Sequence, residues 1–300
     1  MGNLTDRIAK LNKSEAAGLA FSLTVVIYVL TGFSFSMIAS ALGEGVRGES
    51  WYFYVSYLLP SLILFLSIFI FFRLTRYAAG DFFSVRFSVK FLLPIILIFI
   101  GAYLSLSSVN DIFVSFLSRF GYVDSTLPLP PFSALNFALS LLIMGLLPPV
   151  LEEILFRGIL VGGTKDNRIG SILACALLFS LYHMSPSKTI YQFIMGALFA
   201  LIAIKTKSIL PSVIVHVLNN VAVLVIQYFF PELISGELKI ILTIVGFVLL
   251  SVGIFLLFVF AKKDDGIEKK ADNGLIGGFF AWSSVGIILC FILWISRFFQ

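Results

Sequence analysis

Charge is what this chain has least of. Of its 300 residues only 12% are Asp, Glu, Lys or Arg, whereas 59% are hydrophobic. A water-soluble domain carries roughly 25% charged and about 45–50% apolar residues. The composition therefore excludes a soluble fold and indicates an all-α, polytopic membrane helical bundle. Cysteine is nearly missing too. Cys175 and Cys290 both sit in apolar runs, which suits small packing residues and excludes a disulfide framework or a cysteine metal cluster. The two histidines, His183 and His216, do not form an HExxH pattern, so the common zinc-protease helix is absent. No Walker A motif and no basic stripe with interleaved aromatics occurs, which excludes ATP-driven transport and nucleic-acid binding. A nucleophilic triad is not visible.

Long apolar runs are what the chain has in plenty. A membrane-crossing helix needs about 20 apolar residues. Runs near 17–42, 51–72, 91–108, 132–151 (continuing to about 160), 169–184, 189–204, 209–229, 238–261 and 275–296 meet or approach that length. Nine helices are expected, or eight if a short run fails to cross. The first run is too long for a signal-peptide core of about 7–15 residues. The chain reads as one membrane domain over 1–300, with a hydrophilic linker at 262–274 that sets off the last helix, 275–296.

Basic residues alternate from loop to loop. Arg7, Lys10 and Lys13 precede the first run; Arg73, Arg76, Arg86 and Lys90 follow the second; Lys165 and Arg168 follow the fourth; Lys205 and Lys207 follow the sixth. The positive-inside rule then places the N-terminus, these loops and the linker in the cytoplasm of a cell-membrane protein.

Against this background the stretch "PPVLEEILFRGIL", 148–160, stands out. An ionised side chain at the bilayer centre costs roughly 2.5–3.5 kcal/mol on insertion scales, so such groups pair or line a pathway. Glu153 and Arg157 are four apart and share one helix face, in the favoured acid-before-base order. Glu152 is rotated by about 100° from its neighbour and is left free for chemistry. Phe179 lies one turn before His183, and Asn220 one turn after His216. A shared site requires all of these at one depth. A carboxylate beside an imidazole can deprotonate water, and a second imidazole with an amide can hold an oxyanion. That describes a hydrolase of amide bonds. The alternative chemistry is a divalent metal such as zinc held by Glu152, His183 and His216 with an open fourth position.

Three motifs here resemble those of the CAAX-processing and bacteriocin-processing (CPBP, or Abi) family of intramembrane proteases. "EEILFR" at 152–157 resembles its EExxxR motif, "FSLYH" at 179–183 its FxxxH motif, and "HVLNN" at 216–220 its HxxxN motif. They occur in the family's order, and the resemblance covers about residues 130–225, the catalytic helical core. It implies that Glu152 is the general base helped by His183, that His216 and Asn220 hold the oxyanion, and that Glu153 and Arg157 form a structural pair. The implied substrate is a peptide or membrane protein, prenylated or secreted, met in the lipid bilayer. A non-enzymatic reading remains beside it: an immunity or scaffolding protein whose partner is a sensor or transporter. A proton-coupled transporter is disfavoured because no two related halves are seen.

Overall fold

The computed structural model describes residues 4–124, 129–164, 168–230, 236–261 and 273–299. Lys165 and most of the expected linker, 262–272, lie outside the described residues. Within them the chain forms ten helices and no strand. A short α1, Leu4–Ile8, is followed by α2, Lys13–Leu42, α3, Ser50–Thr75, and α4, Leu92–Ser118. Then come the composite α5, Ala134–Thr164, and α6, Arg168–Tyr182. The remaining helices are α7, Thr189–Thr206, α8, Leu210–Phe229, α9, Gly236–Ala261, and α10, Asn273–Phe298. Eight are long and apolar enough to cross a membrane; the ninth apolar helix, α6, is the short one.

Local sequence accounts for the ends. Asn12 caps α2 by accepting from the Ser14 and Glu15 amides, and the Glu15 carboxylate returns to the Asn12 N–H at 3.0 Å, a reciprocal capping box. The third span was expected to stop near 108, where "SSVND" begins, yet α4 runs to Ser118. The reason is tertiary. Ser108 shares a hydrogen bond of 2.6 Å with Thr243, and Asp111 pairs with Lys239. α9 thus supplies the polar partners that α4 needs to continue.

Two helix pairs flank the middle of the bundle. α4 lies along α9, and α2 along α10. Both contacts need a missing Cβ. A side chain at Gly101 would meet the Leu250 backbone, and one at Gly18 would meet the Phe279 carbonyl. In lipid, where burial of apolar surface gives little drive, such close backbone approach is what holds helices together. Residues 76–91 pack under one end of the bundle. Phe82 nests among Phe71, Phe72 and Tyr77, and its carbonyl lies where a Cβ at Gly162 would be. The Ile209 N–H donates to Ser84 O at 2.9 Å, so α8 starts on this segment.

Candidate active site

α5 is not a uniform helix. It carries π-helical stretches at Leu141–Leu146 and Ile154–Leu160, on either side of an α-helical Leu147–Glu153. The first has a direct cause. Pro148 and Pro149 have no N–H, so the Met144 carbonyl loses its partner in the α register and in the π register alike. Asn220 Nδ2, from α8, donates to that carbonyl at 3.1 Å. Gly145, next to it, lets α8 approach: a Cβ there would lie 3.3 Å from Val221 Cγ2. The proline pair opens the backbone and the amide of Asn220 closes the gap.

The α-helical turn that follows presents Glu152 and Glu153. Arg157 Nη1 donates to Glu153 Oε1 at 2.7 Å, with both side chains fully buried. The guanidinium also donates through Nη2 to Gly196 O at 3.2 Å. Its plane is enclosed by Phe179 and Phe199, with ring centroids 4.3 and 4.9 Å away. Two hydrogen bonds and aromatic faces together make this buried cation tolerable.

His216 lies between the two carboxylates. Its Nδ1 is 2.9 Å from Glu153 Oε1, and its Nε2 is 3.7 Å from Glu152 Oε2. One imidazole thus reaches both acids. Because a carboxylate only accepts, Nδ1 carries the proton and donates, which leaves Nε2 facing Glu152. The ring stacks on Phe199 at 4.7 Å.

His183, at the end of α6, is fixed from the other side. Its Nδ1–H donates to the Phe179 carbonyl at 2.7 Å, so its Nε2 is an acceptor. The Phe179 ring touches both imidazoles, with centroids 4.9 Å from His183 and 5.8 Å from His216. Glu152, Glu153, Arg157 and His216 therefore touch directly, and Phe179 joins His183 to them. Asn220 stands one turn along α8, on Met144.

Three observations bear on other chemistries. Ser180 and Ser212 stand three and four residues before the histidines, but their hydroxyls donate to Thr189 O and Ile209 O, both at 2.8 Å. Neither is presented to an imidazole. Among the described residues no group of three or more His, Cys, Asp or Glu is arranged to hold a metal ion. No step below passes through a metal. Finally, Tyr191 OH donates to Asn219 Oδ1 at 2.9 Å, and Asn219 Nδ2 reaches Asn220 Oδ1 at 3.5 Å. Sequence reasoning missed this chain. The doubled Asn hinted at it, but nothing in the pattern says which helix answers.

A groove of about 430 Å³ opens beside the same turn. Phe65, Phe69, Phe72 and Arg73 of α3 line it together with Leu151 and Ile154 of α5, the neighbours of the two glutamates. It is a hydrocarbon-lined slot with one guanidinium among its walls.

Residues 134–222 match the family model described as Type II CAAX prenyl endopeptidase Rce1-like. The match runs from the start of α5 to Ala222 on α8 and includes Glu152, Glu153, Arg157, Phe179, His183, His216 and Asn220. The resemblance carried by the three motifs is borne out over that segment. No curated protein and no solved structure matches.

Proposed function

We propose that the chain is an intramembrane endopeptidase of the CAAX-processing kind, in which Glu152 activates a water molecule against a peptide bond. The observation that carries this reading is the placement of Glu152. It is a largely buried carboxylate beside an imidazole whose proton is fixed by the Glu153–Arg157 pair. Glu152 takes a proton from water as the water oxygen attacks the scissile carbonyl carbon. The Nε2 of His183 accepts the second water hydrogen and orients the lone pair. The carbonyl π electrons move onto oxygen. As that oxyanion collapses, the C–N bond breaks and Glu152 returns its proton to the departing nitrogen. Donors of the oxyanion are the second amide hydrogen of Asn220 and, when protonated at Nε2, His216. A preorganised donor of this kind contributes about 10²–10³ in rate.

The groove between α3 and α5 supports a substrate that brings its own hydrocarbon chain, such as a prenylated cysteine upstream of the cleaved bond. The chain would lie against Phe65, Phe69 and Leu151, the last of them adjacent to Glu152.

Glu152→Gln keeps the shape and removes the base. Purified in detergent, it should lose cleavage of a quenched peptide ending in farnesyl-cysteine and three further residues, by at least 10³-fold, with its melting temperature unchanged. Full activity in this variant would end the hydrolase reading. A membrane binding partner, by contrast, should tolerate the change in any assay of its biological effect.

A further inference from the structure

We infer that Tyr182 is a further catalytic residue: its phenol donates a hydrogen bond to the oxyanion formed at the scissile carbonyl. The inference rests on the hydrolase reading above and adds to it a group that no motif contains.

Tyr182 is the last residue of α6, next to His183, and only 7% exposed. Its ring meets Phe156 at 5.5 Å, Tyr28 at 6.0 Å and His183 at 6.1 Å. Phe156 stands four residues after Glu152 on α5, so the Tyr182 ring packs against the helix that carries the proposed base. Among the described residues the Tyr182 hydroxyl has no hydrogen-bond partner. A buried phenol almost always finds one, and leaving it unpaired is costly. Phenylalanine would fill the same space without that cost. The hydroxyl is therefore kept for something absent from the resting chain.

The hydrogen-bond inventory of the site says what is lacking. Glu152 accepts. The Nε2 atoms of His183 and His216 both accept in the tautomers fixed by Phe179 O and Glu153. Arg157 donates through Nη1 to Glu153 and through Nη2 to Gly196; its Nε has no partner but is buried with the rest of the side chain, and one Asn220 hydrogen is held by Met144 O. A site this rich in acceptors activates water but leaves an oxyanion, beside a protonated His216, only the second Asn220 hydrogen to accept from. The Tyr182 O–H is a neutral donor with nothing else to do. It donates without giving up its proton, so the proton balance between water, Glu152 and the leaving amine is unaltered.

The test is Tyr182→Phe, measured on the farnesyl-cysteine peptide beside Glu152→Gln. The expected result is a fall in kcat of ten- to a thousand-fold, with KM within two-fold and a melting temperature equal to or above that of the parent. A second measurement separates ground state from intermediate. A peptide aldehyde, whose hydrate mimics the tetrahedral species, should bind the Tyr182→Phe protein at least ten-fold more weakly. The uncleaved peptide should bind Glu152→Gln and the Glu152→Gln/Tyr182→Phe double variant equally. Unchanged kcat in Tyr182→Phe while Glu152→Gln is inactive would overturn the role of Tyr182 alone. A lowered melting temperature with matching loss of aldehyde and peptide binding would make the residue structural and also overturn it. An active Glu152→Gln would overturn the underlying reading instead.

Discussion

Glu153 accepts from Arg157 and from His216 through a single oxygen, Oε1, in a place where neither acid nor base touches solvent. Removing one member of a buried pair leaves the other charge uncompensated, at about 3–5 kcal/mol. Glu153→Ala should therefore lower the melting temperature and the yield of folded protein, while Glu152→Gln leaves both intact. Equal thermal profiles for Glu153→Ala and the parent would refute the structural assignment. Arg157→Lys is a stricter probe. An ammonium cannot donate to Glu153 and Gly196 in a fixed fork while sitting over both Phe179 and Phe199. It should destabilise by about 2 kcal/mol or more, read by reversible unfolding in mixed micelles. The Glu153–Arg157 pair was legible from spacing alone because it is local to one helix. The reach of His216 to both acids was not, because it depends on how α8 rotates against α5. Tyr182 was invisible for a different reason: one aromatic residue in an aromatic-rich run gives no signal until its hydroxyl is found without a partner.

The composite helix α5 shows how two prolines create a site rather than merely a kink. "PP" at 148–149 announces a loosened backbone, and that much follows from proline having no N–H. Which group answers the stranded Met144 carbonyl is set by Asn220, 76 residues away in the chain. Asn220→Ala should cost about 1–3 kcal/mol by orphaning that carbonyl. Adding Pro148→Ala returns an N–H in the α register and should recover part of the loss. If the two changes are simply additive in a double-mutant cycle, Asn220 is not there for the helix. The groove gives a prediction at the same scale. Leu151→Trp fills it from the α5 side. KM for the farnesylated peptide should rise several-fold, while the small remaining turnover of an unprenylated analogue stays the same. Equal effects on both peptides would remove the groove from substrate binding.

At the scale of the whole bundle, the number of helices and the order of the motifs follow from hydropathy and spacing. The flanking pairs, α4 with α9 and α2 with α10, do not, since small residues recur in every apolar run and only contact reveals which of them meet. Gly101→Val should separate α4 from α9 by forcing a side chain into the Leu250 backbone. The fall in folded yield should exceed that of Gly32→Val, where a side chain meets open space; matching yields would show that the α4–α9 seam contributes little.

Helix α6 has one more consequence. Its outer stripe, Ile169, Leu173 and Leu177, is exposed, and its 15 residues rise only about 22 Å against a hydrocarbon thickness of about 30 Å. A wall this short is matched by local thinning of the bilayer or by snorkelling at its ends. Where the acyl tails are drawn in around the end that bears His183, the headgroup layer would descend toward the imidazole. A hydrolytic water molecule would then enter from a dimple in the membrane, without a long passage through oil.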